Sequence, residues 1–167
     1  MIRLRALEPE DLDALYDIEN AMEEWDYGCT NVPFSRYALR DYIASNSYDI
    51  YADRQVRQVI TDENNAVLGL IDLCNFDPRH LRAEVSVVVT PQCRKRGIAH
   101  QAMQHLVGYA DEVLHLSQLY AVVSEANAPA ISLFGKSGFE QTATLKAWLS
   151  GKETRENALV LQLFLKK

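Results

Sequence analysis

The chain has 167 residues, of which 48% are hydrophobic and 24% are charged, a balance typical of folded rather than disordered proteins. This length can bury one sizeable core but not two, so we expect a single domain spanning residues 1–167. The net charge of −6 comes from 17 basic and 23 acidic side chains. It disfavours a nucleic-acid partner and favours a cationic one.

The cysteines and the amino terminus predict the compartment. Cys29, Cys74 and Cys93 form no Cys-x-x-Cys pair, so the spacing indicates neither a disulfide framework nor a zinc knuckle. Residues 1–5 carry two arginines where a signal peptide needs its apolar core. No apolar run approaches the ~20 residues of a membrane span. We therefore expect a cytoplasmic protein without a membrane partner.

The first 45 residues predict one strand and two helices. Apolar and basic residues alternate over 2–5, which indicates a short strand with one buried face. Pro9 and the apolar spacing that follows it predict a helix reaching Glu19. Ser35 has the character of an N-cap for a second helix that ends near Ser45.

The segment 21–33 between these helices has no periodicity and mixes acidic with aromatic residues. Two interpretations are open for it. It either holds a cation, or it is an ordinary surface loop with Trp25 packed into the core.

Strand patterns follow. Residues 56–61 and 66–74 alternate, and Asp62 to Asn65 between them suit a tight turn, which predicts a hairpin. A second turn at 77–79 leads to a strand that starts at Arg82 or Ala83. We therefore expect four antiparallel strands in the first half of the sheet.

The second half predicts a strand–helix–strand unit and a closing hairpin. A helix runs from Gly97 to about Leu114, a strand covers 119–123, and a short helix covers 130–134. The strands on either side of the first of these helices must be parallel or nearly so. The last two strands, 142–148 and 154–165, are joined by a turn at 150–152.

The stretch 84–103 reads as a strand, a basic turn and the start of a helix. Unpaired N–H groups of the first helical turn point back towards the strand end and can bind an anion. Arg94, Lys95 and Arg96 add positive charge there, and Gly97 has no Cβ to obstruct a ligand. The stretch therefore predicts a phosphate or pyrophosphate site. The alternative is an ordinary strand–turn–helix with a solvated basic loop.

Two motifs carry a family resemblance. The order Arg94-x-x-Gly97-x-Ala99 after a strand resembles the acyl-coenzyme A motif of the GCN5-related N-acetyltransferases (GNAT). The run from Tyr120 through Asn127 to Gly138-Phe139 resembles the second motif of that family. The opening segment 3–11 and the segment 75–84 are similar to the branch containing spermidine/diamine and ribosomal-protein N-terminal acetyltransferases, so the match covers nearly the whole chain.

The resemblance implies an α/β (α+β) domain with a mixed, mostly antiparallel sheet of about seven strands and helices on both faces. It also implies acetyl-coenzyme A (acetyl-CoA) as co-substrate and no metal. The residues expected to bind the coenzyme are Val87, Val88, Val89, Arg94, Lys95, Arg96, Gly97, Ile98, Ala99, His100 and Asn127. Among these, the amides of Val87 and Val89 would hold the pantetheine arm.

The predicted reaction is direct acetyl transfer to a primary amine. A polyamine or diamine is favoured, and the alternatives are a protein N terminus, another small amine, or a coenzyme-binding module with little catalysis. Assembly with further copies of the same chain, as a homo-oligomer, is also left open.

Two residues bear on the chemistry of that transfer. Glu84 is the candidate base, and the alternative for it is a salt bridge with Arg79 or Arg82. Phe134 stands where close relatives usually carry a tyrosine that protonates the departing thiolate, and phenylalanine has no such proton. Ser132 and Tyr120 are the nearby hydroxyls.

Overall fold

The computed structural model describes residues 1–27 and 30–165. Its strands are β1 (Arg3–Ala6), β2 (Val56–Thr61), β3 (Val67–Asp77), β4 (Arg82–Val89), β5 (Gln118–Ser124), β6 (Glu140–Ser150) and β7 (Arg155–Phe164). They form one seven-stranded sheet in the order β1-β2-β3-β4-β5-β7-β6. Of the described neighbours only β4 and β5 are parallel. The predicted mixed sheet and its strand–helix–strand unit are thus confirmed.

Five α-helices accompany the sheet in the described ranges: α1 (Leu12–Glu19), α2 (Arg36–Ala44), α3 (Ile50–Asp53), α4 (Ile98–Glu112) and α5 (Ala128–Lys136). The predicted N-cap of α2 is confirmed, because the Ser35 side chain accepts a hydrogen bond from the amide of Ala38 at 3.0 Å. None of these helices is long and apolar enough to cross a membrane.

The helices cover both faces of the sheet. On one face α4 and α5 pack against the strands, with Met103 and Leu106 of α4 fully buried among β-branched residues. Each such side chain stabilises the fold by about 1.5–3 kcal/mol through burial. On the other face Leu15 of α1 and Leu39 of α2 pack against the side chains of Val59 and Leu70. The predicted three-layer arrangement is confirmed.

Three local features differ from the sequence expectation. The four-residue helix α3 was not predicted, because it is too short to show an apolar period. Within the predicted loop 21–33, residues Met22–Tyr27 form 3₁₀ turns, whereas Gly28 and Cys29 lie outside the described residues. Strand β3 continues three residues beyond the predicted Cys74, through an irregularity that reaches Asp77.

Candidate active site

The site begins where β4 and β5 separate. Their pairing covers only Arg82–Glu84 against Gln118–Tyr120, although β4 continues to Val89. The amide of Thr90 donates to Leu68 of β3 at 2.9 Å, so by strand alternation the amides of Val87 and Val89 point the other way, towards β5. The β5 edge has no ladder partner for them in the described chain. These two donors are therefore placed to bind an extended polar chain between the strands.

Glu84 lies at the last paired position before this opening. Its half-buried carboxylate accepts a hydrogen bond at Oε2 from the Asn75 amide at 2.7 Å. The alternative of a salt bridge is wrong for both arginines: Arg82 instead pairs with Asp77 at 3.1 Å, and Arg79 makes no ion pair with Glu84 in the described structure. The carboxylate consequently keeps an oxygen for a substrate.

Tyr120 of β5 lies directly opposite Glu84. Burial raises the pKa of Tyr120, and the nearby Glu84 carboxylate raises it further. The phenol thus stays protonated at neutral pH and can donate a hydrogen bond inside the site.

The basic turn after β4 has the backbone of an anion site. Lys95 and Gly97 both have positive φ, at 58° and 75°, and Gly97 is the N-cap of α4. A Cβ on Gly97 would meet no atom closer than the Gln101 Nε2 at 3.9 Å, so the space before the helix is open. The first-turn amides of α4 and the helix dipole favour negative charge at this end. Geometry and charge therefore fit a pyrophosphate.

The remaining predicted coenzyme residues differ in what they offer. Ile98 is buried in the core and presents only its backbone to a ligand, whereas Ala99 is half-buried and packs against that core. His100 Nδ1 lies 3.2 Å from the Ser137 hydroxyl. The side chain of Val88 packs on the α1–α2 face of the sheet.

Arg94 is held by the protein on two sides. Its Nε donates to the carbonyl of Val89 at 3.0 Å, and its Nη2 lies 2.9 Å from Glu24 Oε1. Both side chains of this ion pair are partly exposed, at 40% and 32%. An incoming phosphate would therefore compete with Glu24 for the guanidinium. Nothing in the sequence spacing indicated this contact.

Glu24 belongs to the acidic segment, Met22–Tyr27, which bridges two parts of the site. The Trp25 indole donates to the carbonyl of Glu19 at 3.0 Å and fixes the segment to the end of α1. Asp26 forms an ion pair with Lys152 of the β6–β7 turn at 3.0 Å. The predicted loop is thus a clamped segment with its half-buried Trp25 turned towards the protein.

A cavity of about 390 Å³ opens between this segment and the β6–β7 turn. Its lining includes the carboxylates of Asp26, Glu153 and Glu156, with Lys152 as the one cation among the described lining residues. The Glu156 carboxylate also accepts a hydrogen bond from Ser124 at the end of β5, at 2.6 Å. The cavity therefore offers negative charge at the carboxyl end of β5.

A partly buried ion cluster joins α1 to the sheet. Arg57 of β2 binds the carboxylates of Asp72 and Glu19, and thereby ties α1 to β2 and β3. Burial by itself would lower the pKa of Arg57, but the two carboxylates outweigh it and raise that pKa. Its guanidinium also lies 5.6 Å from the ring centre of Tyr42. No spacing in the sequence indicates this cluster, because its three charges come from separate elements.

Asn127 directly precedes α5, and Phe134 lies within it. Asn127 is its N-cap and accepts from the amide of Ala130 at 3.2 Å, so its Nδ2 is the group it can offer a coenzyme. Phe134 is only 4% exposed and packs edge-to-face on Phe139, with 4.9 Å between ring centres. The ring is thus part of the core.

Comparison with known proteins agrees with this geometry. A family model described as an acetyltransferase (GNAT) domain matches residues 2–140. Spermidine N(1)-acetyltransferase of Escherichia coli K12 is 29% identical over 144 residues, covering 83% of this chain and 72% of that protein.

Two solved structures from Vibrio cholerae share the fold. The spermidine N-acetyltransferase in complex with CoA and spermine has a TM-score of 0.86 at 22% identity, over 98% of this chain and 95% of that one. A dodecameric structure of that enzyme in an intermediate state has a TM-score of 0.82 at 21% identity, over 98% and 93% of the two chains. Since the family model covers most of the sequence, the chain belongs to the GNAT family of acetyltransferases.

Proposed function

We propose that this protein transfers the acetyl group of acetyl-CoA to a primary amine of a polyamine. The observation that carries the proposal is the position of Glu84, a carboxylate at the point where β4 and β5 separate, on the strand that continues to the amides of Val87 and Val89. The names of the E. coli and V. cholerae relatives support a polyamine as acceptor. These comparisons do not support a protein N terminus in that role.

The described residues fit acetyl-CoA, the co-substrate of this family. The pyrophosphate would lie against the amides at the start of α4 and against Arg94, Lys95 and Arg96. The amides of Val87 and Val89 would hold the pantetheine arm, and one of them would stabilise negative charge on the carbonyl oxygen. Acetyl-CoA supplies the acetyl group as a thioester, whose C–S bond breaks as the amine nitrogen bonds to the acetyl carbon.

Glu84 removes the proton that the amine must lose. An amine resembling lysine, with a pKa near 10.4, is almost fully protonated at neutral pH and is then no nucleophile. A carboxylate within hydrogen-bond reach, directly or through one water, supplies the missing base. The Tyr120 hydroxyl opposite Glu84 is a proton donor on the same side of the opening.

The acidic cavity favours an acceptor with more than one positive charge. Its carboxylates, from Asp26, Glu153 and Glu156, can hold a distant ammonium group while another nitrogen reacts. Glu153→Gln should therefore raise KM for a triamine and leave KM for a monoamine of equal length unchanged. Equal changes in KM for both amines would show that the cavity is not part of the acceptor site.

The decisive assay measures release of the CoA thiol with a panel of polyamines, monoamines and an N-terminal peptide. Glu84→Gln should retain affinity for acetyl-CoA and slow transfer roughly 10²–10⁴-fold at pH 7, the usual loss for a general base. The loss should be smaller at pH 9.5, where more of the amine is already neutral. Equal defects at both pH values would contradict the role as base. Tight binding of acetyl-CoA without transfer to any amine would favour the coenzyme-binding module instead.

We also propose that the domain, residues 1–167, assembles as a homo-oligomer in the cytoplasm. The edge strand β6 is largely exposed. Two aromatic side chains at this edge are also exposed, Trp148 of β6 at 60% and Phe164 of the neighbouring strand β7 at 63%. An edge with exposed aromatic residues is a surface that proteins commonly cover by association. Light scattering coupled to size exclusion tests this, and a monomer mass at micromolar concentration would contradict it.

A further inference from the structure

Asn75 lies at a bulge between β3 and β4. Cys74 pairs with Glu84 and Asp77 pairs with Arg82, so two residues of β3, Asn75 and Phe76, lie opposite Ala83 alone. Asn75 also has a left-handed backbone, with φ of 50°. Bulges of this kind occur beside active sites, where they change the direction of a side chain.

The bulge determines which face of the sheet the Asn75 side chain points to. Cys74 and Glu84 are directly paired and therefore share a face. In a regular strand Asn75 would point to the opposite face, because successive side chains alternate. Its Nδ2 instead lies 2.7 Å from Glu84 Oε2. The contact thus depends on the irregular backbone.

That backbone is held in place from outside the strand. The amide of Phe76 donates to the carbonyl of Arg54 at 3.1 Å, directly after α3. The Phe76 ring also packs edge-to-face on Tyr51 of α3, with 5.4 Å between ring centres. A non-glycine residue keeps a left-handed backbone only when the surrounding contacts stabilise that conformation, and such residues cluster at functional sites.

The Asn75 side chain also extends across β4 towards β5. It lies near the phenol of Tyr120, whose pKa burial and the Glu84 charge raise and Asn75 acts to lower; Tyr120 lies opposite Glu84 on β5. The amide that binds the β4 carboxylate therefore lies near a hydroxyl of β5, at the position where β4 and β5 begin to separate.

We propose that Asn75 is a positioning residue for the acetyl transfer. Its amide fixes Oε2 of Glu84, so that Oε1 faces the acceptor amine and takes its proton. The proton moves from the amine nitrogen to Oε1, and no further reactant is needed. This inference rests on the proposed function, because it takes Glu84 as the base.

The test is Asn75→Gly, which removes the amide and keeps a residue that adopts positive φ without strain. The matched control is Asn65→Gly, the same replacement at φ of 66° in the turn between β2 and β3. Asn75→Gly should lower kcat roughly 10- to 10²-fold, the loss expected when a reacting group is misplaced by about 1 Å. KM for the polyamine and affinity for acetyl-CoA should stay within about twofold of wild type. The control should leave all three unchanged.

A double-mutant cycle separates positioning from a general structural effect. If Asn75 acts through Glu84, Asn75→Gly should cost little further activity in a Glu84→Gln background. The same fold-loss in both backgrounds would overturn the inference, as would a change in KM with kcat unaltered. If wild type acetylates an amine and the activity losses of the two substitutions are simply additive, only this inference fails. If wild type acetylates no amine, the proposed function fails, and the inference fails with it.

Discussion

Glu24→Gln should tighten the binding of acetyl-CoA. Arg94 is the one side chain of the basic turn with a described ion-pair partner, and that partner is Glu24 at 2.9 Å. A phosphate must displace the carboxylate before it gains the guanidinium. Removing the charge of Glu24 removes this competition and also takes a negative charge away from an anionic ligand.

The size of the effect follows from the exposure of the ion pair. Exposed pairs stabilise by about 0.2–1 kcal/mol, and both partners here are more than 30% exposed. Loss of that competition lowers Kd for acetyl-CoA by about 1.4- to 5-fold. The gain should shrink as salt rises from about 0.05 M to 0.5 M, because exposed charges are screened over a few ångströms at high ionic strength.

Titration calorimetry of acetyl-CoA at the two salt concentrations measures this effect. Glu23→Gln is the matched control, since it removes the same charge from the neighbouring residue without touching the Arg94 ion pair. Equal tightening in both variants would show that overall charge alone acts. Weaker binding in Glu24→Gln would refute the reasoning, because Glu24 would then be holding Arg94 in its binding position.

Three further substitutions test other parts of the structure. Gly97→Glu should abolish acetyl-CoA binding, because it puts a negative charge and a strained left-handed residue where the phosphates would lie. Calorimetry on the folded variant measures this loss, and Gly97→Ala is the control for the backbone strain alone. Asp11→Asn should lower the free energy of unfolding by about 1.5–3 kcal/mol at pH 7, because it breaks a two-pronged contact with Arg5 at 2.7 and 2.8 Å. The hydrogen bonds from Arg5 lower the pKa of Asp11, so this stability is full above the unfolded value near 3.9 and is lost as pH falls through the lower folded pKa. The free energies of unfolding of the two proteins in urea should therefore converge as the pH is lowered. Phe134→Tyr should change kcat less than about threefold and should lower the melting temperature, because a hydroxyl is added to a ring packed in the core.

The sequence predicted those parts of the fold that local patterns determine. The boundaries of β2 were predicted to the residue, and α2 begins after the predicted N-cap Ser35. The turn between β4 and α4 was predicted from Gly97, whose positive φ only glycine adopts freely, and its role as an anion site stays a prediction. Such features depend on neighbours in the chain and therefore appear in the sequence.

The contacts that the sequence did not reveal are long-range or depend on irregular backbone. Arg94 and Glu24 are 70 positions apart, and nothing in the charge pattern distinguishes Glu24 from Glu23. Asn75 reaches Glu84 only because a bulge reverses its direction, and regular alternation predicts the opposite face. The salt bridge considered for Glu84 was wrong for a related reason, since the turn at 77–80 places Asp77, rather than Glu84, beside Arg82.

A phenylalanine at position 134 is compatible with acetyl transfer, because removing a proton from the amine demands more free energy than supplying one to the leaving thiolate. An amine with a pKa near 10.4 must be deprotonated at a cost of about 4.6 kcal/mol at pH 7. A thiol with a pKa near 8.5 leaves as a thiolate at a cost of only about 2 kcal/mol relative to its protonated form. The base therefore faces more than twice the free-energy demand that a general acid would. With Glu84 as the proposed base, held by Asn75, the site would meet the larger demand, and water or the Tyr120 hydroxyl can meet the smaller one while Phe134 stays in the core.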